Sequence, residues 1–201
     1  MTRWGPREPS EPQRACTTRC SGKSQGGHFL ASSKAQGHYS TGGGKALIEK
    51  FIVKLRCYDT VSAAEERALG GAISAAVTFD RGDDIIKAKT ELSTSNLLLD
   101  GFVHRYKDLE SGARQALQLA VPGDFVDLHS LLLKQLDHDI GALTHCSLAL
   151  FPHERLIALI DAHPHLGRLL WLSTIVDAAI NREWIMSLGV RSGVAAGTPV
   201  L

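Results

Sequence analysis

The chain has 201 residues, 44% of them hydrophobic, and a formal net charge of +1 at pH 7. That length and apolar content suit one ordinary domain with tails, and the near-neutral charge supplies no global field to draw in nucleic acid or an anionic membrane. Four cysteines, Cys16, Cys20, Cys57 and Cys146, are too few and too scattered for a disulfide scaffold and fit a reducing cytoplasm. No apolar run approaches the roughly 18 residues of a membrane span, and "MTRWGPREPSEPQR" lacks the apolar core of a signal peptide, so a cytoplasmic protein with no membrane partner is expected.

Residues 1–44 are rich in Gly, Ser, Thr, Gln and Pro and offer no periodic apolar face, which predicts a disordered tail. The "GGGK" before Ala46 lacks the glycine spacing and the Ser or Thr after lysine that a phosphate-binding loop needs. From there the character changes. Leu47, Phe51 and Leu55 recur at steps of four, as one helix face requires, and Ser62 followed by Glu65 forms a capping box that starts a second helix over about 63–76. Ala64, Leu69, Ile73 and Val77 would line its buried stripe.

Between Val77 and Phe151 short apolar runs alternate with turn residues, a pattern of strands in a β-sandwich or roll. Asp100-Gly101 between two apolar runs predicts a hairpin, and "ALTHCSLALF" a further strand. After Pro152 a short helix is stopped by Pro164. From His165 to Leu188, Leu166, Leu169, Leu172, Val176, Ile180 and Trp184 recur at steps of three and four up to Gly189. That stripe is long for a helix packing on a small roll alone, and a coiled-coil-like dimer seam through Leu169, Leu172, Val176, Ile180 and Trp184 would use the excess. The reading is therefore a tail (1–44), a roll with leader helices (45–164), a dimerisation helix (165–189) and an irregular end (190–201).

This order of parts resembles the Crp/Fnr family of bacterial transcription regulators. The match runs over roughly residues 48–189 and rests on Phe51 to Ala76, "FDRGDDIIKAKT", "LLLDGFVHRYKDLESGARQALQLAVPGDFVDL" and "REWIMSLG". The resemblance implies an α+β, mainly β fold: a double-stranded β-helix or jelly roll of the cyclic nucleotide-binding type, with flanking N-terminal helices and a long C-terminal dimerisation helix. It also implies a homodimer, or a heterodimer with a full-length relative. Family members read DNA through a helix-turn-helix domain after the dimer helix, but only twelve residues follow Gly189 here, so a sensor and dimerisation part without DNA-binding residues is expected.

By the same resemblance the segment Gly123, Asp124, Phe125, Val126, Asp127, Leu128 and His129 is the ligand cradle. A buried cyclic phosphate needs a charge-assisted partner, best a guanidinium. In this alignment the family's acidic residue falls near Leu128 and its Arg-Ser pair near Leu136 and Asp137, a leucine without a donor and an aspartate that repels phosphate. The expectation is that cyclic AMP is not bound in the usual way, with the frame either filled by its own leucines, as the run Leu131 to Leu133 favours, or tuned to a less anionic signal. The alternative is a genuine cyclic-nucleotide-binding regulatory domain.

A redox or enzymatic reading is weaker. An iron-sulfur cluster would have to draw on Cys16, Cys20, Cys57 and Cys146 at poor spacing, and Asp137-His138-Asp139 on an extended segment would point to alternating sides. His163 and His165 have the spacing of metal-dependent cupin enzymes, yet they span a helix break with no following glutamate before Glu183. No cofactor, no metal ligand and no catalytic residue is expected.

Overall fold

The computed structural model describes residues 47–195. In chain order the elements are α1 (Glu49–Arg56), α2 (Ala63–Gly71), β1 (Ala75–Phe79), β2 (Asp84–Ile86), β3 (Thr94–Asp100), β4 (Val103–Asp108) and β5 (Arg114–Ala120). There follow α3 (Ser130–Leu133), β6 (Asp139–Ala142), β7 (Cys146–Pro152), α4 (His153–Ala162) and α5 (Pro164–Ala195). The strands form two antiparallel sheets, one in the order β1-β7-β3 and the other β2-β6-β4-β5. This is the jelly-roll architecture expected, with seven strands among the described residues. Among those residues no helix is long and apolar enough to cross a membrane.

Two hydrophobic clusters share the β1-β7-β3 sheet. On one face Leu97, Ala149 and Phe151 pack against Phe51 and Leu55 of α1, Leu69 of α2, Leu156 of α4 and Leu166 of α5. On the other, Leu98, Cys146 and Leu148 pack against Val103 and Ile140 of the second sheet. Successive side chains of a strand point to opposite faces, so a strand buried on both reads as a continuous apolar run. That is why "NLLL" and "SLALF" look uninterrupted. Replacing such a leucine, Leu148 for one, with alanine would cost about 2–5 kcal/mol.

Several expectations are corrected. In α1, Phe51 and Leu55 are buried, but Ile48 rather than Leu47 completes the face. The capping box is present: the Ser62 backbone N–H donates to Glu65 Oε2 at 2.8 Å and the Ser62 hydroxyl accepts from the Glu65 amide at 3.3 Å. However, α2 ends at Gly71, Ala64 is exposed, and Val77 belongs to β1. Gly70 and Gly71 are weak helix formers, and Ser74 to Phe79 are captured by pairing with β7 instead.

Asp100-Gly101 does not close a hairpin. β3 pairs with β7 and β4 with β5 and β6, so the turn carries the chain from one sheet to the other. Gly101 has φ +84°, and a Cβ there would lie 2.4 Å from the carbonyl oxygen of His145. The long helix also departs from expectation, because it starts at Pro164 and runs without interruption through Gly189 to Ala195. Pro164 both ends α4 and begins α5, since a proline fits the first helical position and keeps the preceding residue, His163, out of the helical conformation. The predicted tail over 1–44 lies outside the described residues, as does 196–201.

Candidate ligand-binding cavity

The cradle is built by one turn and one strip of sheet-like pairing. Val121-Pro122-Gly123-Asp124 is a β-turn closed by the Asp124 amide donating to Val121 O at 3.0 Å, with Pro122 supplying a fixed φ and Gly123 a positive one, +91°. A Cβ on Gly123 would come within 3.0 Å of the Lys50 backbone, so α1 sits directly behind the turn. The following residues run along β3: Leu98 N–H donates to Asp124 O at 2.8 Å and Val126 N–H to Asn96 O at 2.9 Å. Phe125 is clamped edge-on between Phe51 and Phe151, at ring distances of 5.2 Å each.

This strip forms the floor of a cavity of about 430 Å³. One wall is α1 with the residues after it, Phe51, Lys54, Leu55 and Tyr58. The opposite wall is α5 from Ser173 to Asn181, and Arg105 of β4 stands at the base. Of the nine cradle residues expected from the sequence, Gly123, Asp124, Phe125, Leu128 and His129 line it. Val126 and Leu136 are instead buried in the cluster between the sheets. Asp127 is fully buried and accepts hydrogen bonds from the Asn96 amide (2.6 Å) and side chain (2.7 Å). Asp137 is largely exposed and ion-paired to Lys107 at 2.7 Å, so it faces neither the cavity nor a ligand. The leucine run does not fill the frame either: Leu132 and Leu133 are 66% and 67% exposed, because a short helix can bury one face only, and Leu128 is the leucine at the floor.

Arg105 is the residue that sequence reasoning missed. Its Nε donates to Val126 O at 2.9 Å, one terminal nitrogen donates to Gln118, and the other lies 3.6 Å from Asp177 Oδ2 on α5. Burial lowers its pKa, against the pull of Asp177, Asp127 and Asp124. Burial raises the Asp177 carboxyl, against Arg105. A register shift between Arg105 and Tyr106 inserts an extra residue in β5 and brings Arg105 opposite Gln118. Gln118 in turn accepts from Asn181 Nδ2 at 3.2 Å, a second tie between the roll and α5.

The remaining polar groups divide by partner. Asp124 pairs with Lys54 and accepts from the Val121 amide at 2.9 Å. Asn181 Oδ1 is buried without a hydrogen-bond partner. His129 is held near 4, first by burial and then by Arg105 and His138, so its imidazole is neutral at pH 7. His153, away from the cavity, is also near 4 and meets Ser130 Oγ at 3.2 Å.

Of the four cysteines, Cys16 and Cys20 lie outside the described residues. Cys146 lies buried between the sheets, where burial lifts its thiol to about 11, and Cys57 sits exposed after α1. Among the described residues no group of three or more His, Cys, Asp or Glu could hold a metal ion. His163 forms the joint between α4 and α5, and His165 is engaged by Glu65 at 2.6 Å, both outside the roll.

The expected seam residues also divide. Leu169 is packed in the chain's own core, Val176 and Ile180 line the cavity, Leu172 is half-buried, and Trp184 remains 38% exposed. The strongly exposed apolar residues of α5 are Trp171, Ile175, Ile185 and Met186 on the opposite side.

Residues 76–163 match the family described as cyclic nucleotide-binding domain. The nitrogen fixation regulation protein FixK of Bradyrhizobium diazoefficiens is 30% identical over 117 residues, covering 58% of this chain and 48% of that protein. The transcriptional activator protein FnrL of Cereibacter sphaeroides is 24% identical over 115 residues, covering 57% and 46%. The chain thus spans about half the length of these curated relatives. A cyclic nucleotide-binding domain from Methylobacillus flagellatus has the same fold, with a TM-score of 0.58 at 14% identity over 84% of this chain and 90% of that one. In roll and cradle the chain is thus similar to cyclic nucleotide-binding domains, and in sequence to two Crp/Fnr-type regulators.

Proposed function

We propose that this chain is the sensor and dimerisation part of a Crp/Fnr-type transcriptional regulator, without catalytic machinery, and that it does not hold cyclic AMP in the usual way. One observation carries the reading: the cavity is closed on one side by α5 itself, from Ser173 to Asn181, so whatever fills it touches both the cradle and the helix that extends beyond the roll. An occupant is thereby able to bias the position of that helix, which is what a regulator requires of its sensor.

Two features argue against the usual cyclic nucleotide grip. The cradle from Gly123 to His129 carries no cation, and the positions aligned with the phosphate-binding pair are buried Leu136 and exposed Asp137. Arg105 approaches from β4 but has two of its three nitrogens committed to Val126 and Gln118. A phosphate would meet one guanidinium corner and a Lys54 ammonium already engaged by Asp124, beside a second carboxylate, Asp177.

Dimerisation would use the exposed side of α5. Trp171, Ile175, Ala178, Arg182 and Ile185 follow one another at steps of four and three, the spacing of a two-helix seam, and all are exposed. The partner is a second copy or a full-length relative. We assign no base-contacting residue among the described ones. The test is calorimetric titration of the purified chain with cyclic AMP together with sedimentation analysis: no binding and a dimer are expected, whereas micromolar affinity or a monomer at high micromolar concentration would sink the reading.

A further inference from the structure

We propose that Asp177 is a built-in occupant of the cavity's anion position, and that the effector is a small organic carboxylate with an apolar body, which displaces Asp177 from Arg105 and so loosens the helix from the roll. This rests on the cavity being the effector site. The Arg105 side chain is only 12% exposed, and the nitrogen facing Asp177 lies 3.6 Å from its Oδ2, beyond a hydrogen bond, while the other two nitrogens are engaged. The guanidinium therefore presents one unsatisfied corner to the cavity. The chain answers it with a carboxylate from α5.

That arrangement selects the ligand class. A ligand carboxylate replaces Asp177 in kind, with the same charge and the same planar oxygens, and its shorter reach converts a 3.6 Å contact into a hydrogen bond. The rest of the cavity is apolar where a ligand body would lie, with Phe51, Leu55, Phe125, Val176 and Ile180 on its walls. A volume of about 430 Å³ admits a ring with a short acid arm. Asn181 Oδ1, buried and unpartnered, stands ready for a donor on the same ligand.

The contact also sets the coupling. Asp177 and Asn181 are one helical turn apart and both bridge to the β4-β5 hairpin, through Arg105 and Gln118. An anion at Arg105 competes with the first of these ties. The internal carboxylate in turn weakens the apparent affinity of any ligand by the fraction of molecules in which it holds the arginine.

The experiment compares the full chain with its Asp177→Asn and Arg105→Lys variants, using phenylacetate, its neutral amide phenylacetamide, and cyclic AMP as probes in calorimetry, with hydrogen exchange over Ser173 to Asn181 as the second readout. Phenylacetate is expected to bind the unmodified chain at least tenfold more tightly than phenylacetamide, and Asp177→Asn at least fivefold more tightly still. Exchange over that segment should rise on adding phenylacetate and be already raised in unliganded Asp177→Asn. Arg105→Lys, which keeps the charge but not the three-point anchoring, should lose the preference for acid over amide. Equal binding of acid and amide, or exchange in Asp177→Asn indistinguishable from the parent, overturns the proposal, and an Arg105-dependent preference for cyclic AMP overturns both it and the sensor reading on which it rests. A dimer that persists while the carboxylate preference is absent sinks this inference alone.

Discussion

Asp127 has a carboxylate enclosed on all sides, and its environment sets how the fold responds to pH. Burial raises it to about 7, although hydrogen bonds from Asn96 and the charge of Arg105 pull the other way. The neighbouring Asn96 Oδ1 has no partner, so rotating that amide gives a protonated Asp127 something to donate to. The folded state thus binds the proton more tightly than the unfolded chain. Stability from this group is full below about pH 4 and is lost as pH rises toward 7, each tenfold difference in proton affinity between folded and unfolded chain being worth at most about 1.4 kcal/mol. Urea unfolding at pH 5 and pH 8 should therefore show wild type losing stability relative to Asp127→Asn as pH rises, and a difference that does not move with pH would contradict this. The buried histidines act in the opposite sense. His129 and His153, both near 4, take up protons in the unfolded chain first, so their contribution is complete above about pH 6.5 and falls away between there and pH 4. His153→Gln, which keeps a partner for Ser130, should flatten that acid limb; an unchanged slope in acid titrations would show that His153 does not supply it.

At the scale of elements, two glycines in matching backbone conformations separate strain from contact. Gly101 and Gly112 have φ of +84° and +81°, but a Cβ at Gly112 meets nothing within 4 Å, whereas at Gly101 it would lie 2.4 Å from His145 O. Alanine at Gly112 should cost about 1 kcal/mol, the conformational penalty alone, and at Gly101 at least about 3 kcal/mol, read from denaturant midpoints. Equal losses would mean that the sheet-to-sheet corner is not where the close approach lies. The same corner shows what was legible in the sequence. Asp-Gly specifies a bend, and the chain bends there. It does not specify which strand lies on the far side, because that is decided by β7, some 45 residues later, inserting beside β3. Local signals of this kind succeeded throughout: the Ser62 capping box, the Pro164 break and the Val121 to Asp124 turn all stand where their residue types place them. The cavity was half legible for the same reason. Its floor is one contiguous stretch with its own turn chemistry, whereas Arg105, Lys54 and Asp177 come from three distant elements that no local signal connects.

For the molecule as a whole, the two sides of α5 differ in burial, and the proposed dimer would use the exposed one. Leu166, Leu169 and Leu170 belong to the core shared with α1 and the first sheet, while Trp171, Ile175 and Ile185 are exposed. Glutamate at Ile175 or Ile185 should weaken self-association at least tenfold in sedimentation while leaving the unfolding midpoint of the monomer nearly unchanged, and glutamate at Leu169 should unfold the chain by burying an unpaired charge. An Ile185→Glu protein that remains dimeric at low micromolar concentration would place the partner elsewhere. The length of this helix has a mechanical meaning as well. At Gly167 it crosses α4 so closely that a Cβ would come within 2.8 Å of the Ile160 side chain, which makes that crossing the natural fulcrum for any rigid tilt. At about 1.5 Å of rise per residue, Asp177 lies roughly 15 Å beyond the fulcrum and Ala195 roughly 42 Å. The helix is then a lever with a ratio of about three: a shift of one ångström where Asp177 leans on Arg105 arrives at Ala195 as nearly three.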